Sequence, residues 1–115
     1  MAECVFCKIA SGDIAAKLVR RTPEAVAFHD LTPQAPVHVL VIPTKHYSAA
    51  RDLSGSEGEA LLGRLLLFAT SVASELGLDT SGYRLITNTG PDGGQSVFHL
   101  HFHLLGGRRM AWPPG

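Results

Sequence analysis

Between Ser96 and Leu105 the chain reads SVFHLHFHLL, which sets His99, His101 and His103 at alternate positions with Leu100, Phe102 and Leu104 between and after them. On an extended strand successive side chains point to opposite faces, so the three imidazoles share one face and the apolar residues the other. On a helix the same spacing would fan the rings around most of the cylinder and leave no apolar stripe. The pattern predicts a strand with chemistry on one side and core on the other.

Two chemistries suit such a face. Alternate histidines can place two or three nitrogens on one catalytic metal ion. Alternatively, one neutral imidazole attacks phosphorus while its neighbours orient it, donate hydrogen bonds to phosphoryl oxygens or protonate the leaving group. Serine-based hydrolysis is disfavoured, because the chain has no GxSxG elbow. Near the N-terminus Cys4 and Cys7 form a CxxC. A thioredoxin-like redox pair is expected after a strand and at the start of a helix, whereas this motif sits at residue 4 with no strand read before it. Half of a zinc site needs two further ligands, which His29, His38, His46, His99, His101 and His103 could supply, and two unbonded thiols are the remaining reading. Two cysteines are too few for a disulfide scaffold and fit a reducing compartment.

The elements that position these groups follow from periodicity. SGSEGEALLGRLLLFATSVASELG reads as a long helix: Ser54 and Glu57 have capping-box spacing, Leu61, Leu65, Phe68, Val72 and Leu76 recur at helical intervals, and Gly77 supplies the stop. Leu62, Leu66, Ala69 and Ala73 widen the stripe, as expected for burial against a sheet. A shorter helix is expected around VFCKIA, ended by Ser11 and Gly12. KLVRR, AVAFHD, HVLVIP, YRLITN and HLHFHLL are strand candidates. Their connections are mostly too short for parallel crossovers, which predicts an α+β fold with an antiparallel sheet of about five strands. NTGPDGGQS, Asn88 to Ser96, is a glycine-rich turn between the last two strands. It delivers Gln95 and Ser96 ahead of the histidines, and amides at glycines can approach a phosphate closely.

At 115 residues the chain is read as a single domain, 1–115. Ten basic residues balance ten acidic ones, which gives no net field toward nucleic acid or an anionic membrane, so any anion must be bound locally. The N-terminal stretch lacks the regions of a signal peptide, and LLGRLLLFATSVA is broken by Arg64 and too short to span a bilayer. A cytoplasmic protein is the expectation.

Taken together, FHDLTPQAPVHVLVIPTKH, GYRLITNTGPDGGQSVFHLHFHLLGG and the terminal WPPG resemble the histidine triad (HIT) superfamily, and specifically its Hint branch. The triad pattern is met by His99, Leu100, His101, Phe102, His103, Leu104 and Leu105, and the resemblance runs from CVFCKIASGDI to Gly115. It implies a HIT-like fold whose sheet extends across a homodimer, and hydrolysis of purine nucleoside phosphoramidates. Carried over by position, His101 would attack the α-phosphorus and carry the nucleotidyl group. His99, His103 and His38 would complete the catalytic group, with Ser96 assisting the leaving amine. Asn88, Gly94, Gln95 and Ser96 match phosphate-contacting positions, and Asp30 with Leu31 matches the ribose pair. By residue type alone Asp30 would merely initiate a turn and Asn88 end a strand. Val5, Phe6, Ile14 and Phe28 would line the base slot, while His29 matches no catalytic position.

The same resemblance implies a structural zinc on Cys4, Cys7, His46 and His99, with no cofactor required for catalysis. It also implies a tail whose Trp112 lies near the partner's site, with Ala111 where several relatives carry a polar residue. Within enzymes the alternatives are a dinucleoside polyphosphate hydrolase or a nucleotidyl transferase. Outside them stands a nucleotide-binding regulatory module.

Overall fold

The computed structural model describes residues 4–115, and Cys4 is the N-cap of the first helix, α1 (Val5–Ser11). Its Sγ accepts the Cys7 N–H at 3.4 Å, and Gly12 ends the helix with a left-handed φ of 88°. Then follow β1 (Leu18–Arg21), β2 (Ala25–His29), β3 (Val37–Pro43), a 3-10 turn (Ala50–Asp52), α2 (Gly55–Glu75), β4 (Tyr83–Ile86) and β5 (Phe102–Gly106). The strands form one antiparallel sheet in the order β1-β2-β3-β5-β4, as the short connections require.

The two helices cover opposite faces of this sheet. On one, Leu61, Leu65, Ala69, Val72 and Ala73 of α2 share a core with Ala25, Ala27, Val39, Val41, Leu100, Phe102 and Leu104. On the other, Phe6, Ile9 and Ala10 of α1 pack with Val26, Phe28, Leu40 and Ile42. Each fully buried aliphatic side chain contributes roughly 1.5–3 kcal/mol, so the two clusters hold the layers together. Arg21 ties α1 to the sheet by donating to the carbonyls of Ala10 and Ile9.

The end of α2 forms as expected. Gly77 has a φ of 77°, and its N–H reaches Ser74 O while the Leu78 N–H reaches Ala73 O, both at 3.0 Å. Its start differs from expectation, because Ser54 is the N-cap but its hydroxyl makes no cap hydrogen bond. Gly55 enters with a left-handed φ of 67°, so the first turn does not bring that hydroxyl onto the Glu57 amide. The stripe is also narrower than expected: Leu66 is exposed, beside Leu67.

A second correction concerns the histidine segment. The ladder begins only at Phe102, so His99 and His101 precede the strand. Their backbone is held by loops instead, with Leu100 N–H donating to Tyr47 O at 2.6 Å and Thr87 Oγ1 donating to His101 O at 2.8 Å. YRLITN likewise pairs only to Ile86. The alternation of faces nevertheless survives, since Leu100, Phe102 and Leu104 lie in the α2 core. Among the described residues no helix is long and apolar enough to cross a membrane.

Candidate active site and metal centre

Sheet register brings two of the histidines together. His38 on β3 lies opposite Leu105 and Leu40 opposite His103, which makes His38 and His103 diagonal neighbours on one face. His38 Nε2 and His103 Nδ1 are 2.9 Å apart. The backbone N–H of Gln34 donates to His38 Nδ1 at 3.0 Å. An amide can only donate, so the His38 proton sits on Nε2 and is given to His103 Nδ1. His103 therefore carries its own proton on Nε2.

His101 is oriented from the other side. Its Nδ1 lies 2.7 Å from the carbonyl oxygen of His99, which can only accept, so Nδ1 holds the proton and Nε2 a lone pair. Phe6 stands edge-on to this ring at 5.2 Å, and His103 lies 5.0 Å away between ring centroids. The result is a bare nitrogen on one ring beside an N–H on the next. That combination suits attack on, and hydrogen bonding to, one phosphoryl group.

Burial and the neighbouring His101 and His38 rings push the His103 pKa down to about 4, with Asp30 opposing. Burial also lowers His38, again against Asp30. Asp30 initiates the turn that its residue type predicts, and its second carboxylate oxygen faces His38. Oδ1 accepts the Thr32 N–H at 2.7 Å, an Asx turn, and Oδ2 lies 3.5 Å from His38 Nε2.

The third triad ring points elsewhere. His99 is fully buried, and its Nε2 donates to Pro43 O at 2.9 Å. The bare Nδ1 faces Cys4 Sγ at 3.4 Å, Cys7 Sγ at 3.5 Å and His46 Nδ1 at 3.2 Å. Cys7 Sγ is 3.3 Å from His46 Nδ1. Tetrahedral zinc with Zn–N of about 2.0 Å and Zn–S of about 2.3 Å needs ligand separations of roughly 3.3–3.8 Å. Donor set and spacing both fit zinc. Burial and the neighbouring Cys4 raise the Cys7 pKa, so metal must displace a proton there. Asp30, His38 and His103 also gather within 4.8 Å. Yet the His38 atom facing the others is the one that bears the proton, so this group fits a hydrogen-bonded relay and not an ion.

The turn between β4 and β5 places Gly94 and Ser96 at the surface with Asn88 partly covered. Gln95 turns inward. Its Oε1 accepts the Gly90 N–H, and its Nε2 donates to the carbonyls of Ser48 and Val97. Its side-chain amide is thus spent on holding the turn that carries Gly94 and Ser96, a scaffolding role that residue type alone did not indicate. Phe6 and Phe28 meet edge-on at 5.6 Å inside the smaller core, whereas Val5 and Ile14 are exposed. Leu31 is 90% exposed and Trp112 83%. His29 lies at the surface, as expected. The backbone groups of Gln34 and Pro43 were invisible to residue-type reasoning, because any residue can supply an amide or a carbonyl. A cleft of about 760 Å³ beside the start of α2, lined by Glu24, Lys45, Glu57 and Arg64, contains none of the triad histidines.

The chain matches the model of the HIT domain over residues 11–110. A 14 kDa zinc-binding protein from Brassica juncea is 45% identical over 114 residues, covering 98% of this chain and all of that protein. Adenylylsulfatase HINT1 from Arabidopsis thaliana is 47% identical over 113 residues, which are 96% of this chain and 76% of that protein. The crystal structure of a HIT family hydrolase from Legionella pneumophila Philadelphia 1 superposes with a TM-score of 0.94 at 47% identity, covering 98% of this chain and all of the other. With its two helices, five-stranded antiparallel sheet and paired histidines in that arrangement, the chain belongs to the histidine triad family.

Proposed function

We propose that the protein hydrolyses purine nucleoside 5′-phosphoramidates through a covalent nucleotidyl-His101 intermediate. The observation that carries this reading is the hydrogen bond from His101 Nδ1 to His99 O at 2.7 Å, which leaves Nε2 as a lone pair. Nε2 attacks the α-phosphorus, the phosphorus–nitrogen bond breaks, and the amine leaves with a proton drawn from solvent through the Ser96 hydroxyl, a proton returned to solvent when water hydrolyses the intermediate. His103 Nε2–H steadies a phosphoryl oxygen. Water then attacks the nucleotidyl-imidazole, releasing the nucleoside monophosphate and restoring neutral His101. Throughout, Nδ1–H stays on the His99 carbonyl and stabilises the charge that develops on the ring.

The Arabidopsis relative named an adenylylsulfatase supports a first step that tolerates different leaving groups on an adenylyl phosphorus. The Brassica relative named a zinc-binding protein supports a zinc ion on Cys4, Cys7, His46 and His99. That zinc would be structural, because its ligand set leaves no open position for substrate. We further assign the active form as a homodimer in a reducing, cytoplasmic setting. The unpaired outer edge of β4 and the exposed Leu66 and Leu67 support a partner copy, and in that dimer Trp112 would approach the partner's site.

Intact-protein mass spectrometry after brief mixing with an adenosine phosphoramidate tests the reading. An adenylyl adduct in wild type and His103→Ala, absent in His101→Ala, is the expected outcome. Turnover abolished by chelation of a protein that stays folded, with no adduct, would replace it with a metal-activated water. Binding without turnover in every form would make the protein a nucleotide-binding module.

A further inference from the structure

Arg108 lies beyond β5, outside the triad, yet its guanidinium is joined to the histidines by a continuous chain of hydrogen bonds. Nε and Nη2 both donate to the carbonyl oxygen of Gln34, at 3.1 and 3.0 Å. The N–H of the same residue donates to His38 Nδ1 at 3.0 Å. His38 Nε2 then meets His103 Nδ1 at 2.9 Å. The approach is close by construction. Gly107 has a φ of 87°, and a Cβ there would fall 2.8 Å from Pro36 Cβ, so only glycine lets the chain after β5 settle against the 31–36 loop.

We infer that Arg108 is a positioning residue for the active site, a two-pronged clamp on the Gln34 backbone that fixes the protonation pattern of His38 and, through it, of His103. Neutral imidazole holds one proton, and which nitrogen bears it is decided by what the other nitrogen meets. With the Gln34 amide held on Nδ1, His38 must donate from Nε2, His103 must accept on Nδ1, and the His103 Nε2–H faces the phosphoryl site. If the loop relaxes, Nδ1 loses its donor and His38 can move its proton there. The relay then reverses: His103 donates from Nδ1 and turns a bare nitrogen toward a phosphoryl oxygen, which repels where it had bonded. Arg suits the role because its rigid fork puts two donors on one carbonyl, whereas Lys offers a single mobile point. Arg84 Nη2 donates to Ala111 O at 2.8 Å, which pins the tail after Arg108 as well.

The kinetic side of this inference rests on the nucleotidyl-histidine reading, but its structural side does not. Long-range proton–nitrogen NMR of the imidazoles should show His38 protonated on Nε2 in the wild type and a mixture of both forms in Arg108→Met, with Arg109→Met unchanged. With an adenosine phosphoramidate, Arg108→Met should lose kcat on the order of tenfold at a KM within about twofold, and Arg108→Lys should recover part of the loss. An unaltered His38 proton position in Arg108→Met overturns the inference. A raised KM at constant kcat overturns it too, because Arg108 would then act as a charge for the nucleotide. If Arg108→Met fails to fold, Arg108→Lys carries the same NMR comparison. If wild type turns over no phosphoramidate, the functional reading falls while the NMR comparison still decides the role of Arg108.

Discussion

The ring of His99 and the carbonyl of His99 serve two sites at once. The ring closes the Cys4, Cys7 and His46 cluster, and the carbonyl, 2.7 Å from His101 Nδ1, sets the proton on that ring. Anything that lets His99 shift therefore disturbs His101.

Zinc removal tests this link. Wild type should carry about one zinc per chain, and Cys7→Ser should lose it, with the melting temperature falling by roughly 10 °C or more. Single-turnover adenylylation should slow further than nucleotide binding weakens. Elemental analysis, calorimetry of nucleotide binding and rapid-quench mass spectrometry read the three quantities separately, and an unchanged adenylylation rate in the zinc-free protein would uncouple the two sites.

Acid stability follows from the depressed histidines. In the unfolded chain His103 titrates near its ordinary 6.5, but in the fold it is held to about 4. Between those values the unfolded state binds more protons, so stability falls as pH drops from about 6.5 to about 4 and levels off below, as far as this group is concerned. Urea midpoints measured across this window should decline more steeply for wild type than for His103→Gln. Parallel slopes would mean that His103 is not buried neutral.

Gln95 tests the turn. Gln95→Leu leaves one amide and two carbonyls without their partner, at a cost of about 1–3 kcal/mol per group that stays buried and unpaired. Gln95→Glu should also destabilise, because a carboxylate can accept from Gly90 but not donate to Ser48 and Val97. Both variants should raise KM for the phosphoramidate through displacement of Ser96, measurable by steady-state kinetics beside a denaturant titration.

Leu65 sits at the centre of the α2 layer, 1% exposed. Leu65→Ala should cost about 2–5 kcal/mol, with a smaller loss for Leu65→Met. Activity at temperatures well below unfolding should be nearly unchanged, since this core lies on the face of the sheet opposite the histidines. A selective loss of kcat would show that the α2 layer communicates with the site.

The alternation of His99, His101 and His103 with Leu100, Phe102 and Leu104 was enough to define two faces, because side-chain direction along an extended chain is a local property. The stop of α2 at Gly77, the end of α1 at Gly12 and the short antiparallel connections were readable for the same reason. Ser54 shows the limit: its spacing to Glu57 was right, but the left-handed Gly55 between them decides where the hydroxyl points.

Residue types and spacing also nominated the Cys4, Cys7, His46 and His99 cluster and the histidines proposed for catalysis, through their likeness to a family. They could not say which nitrogen of each ring bears a proton. That is decided by the Gln34 amide, the His99 carbonyl and the Pro43 carbonyl, groups that every residue possesses and only folding brings to a ring. Nor could they say that Gln95 would be consumed by its own turn or that Arg108 would reach Gln34. Side-chain chemistry is written residue by residue, whereas the reach between distant backbone groups exists only once β3, β5 and the loops around them have packed.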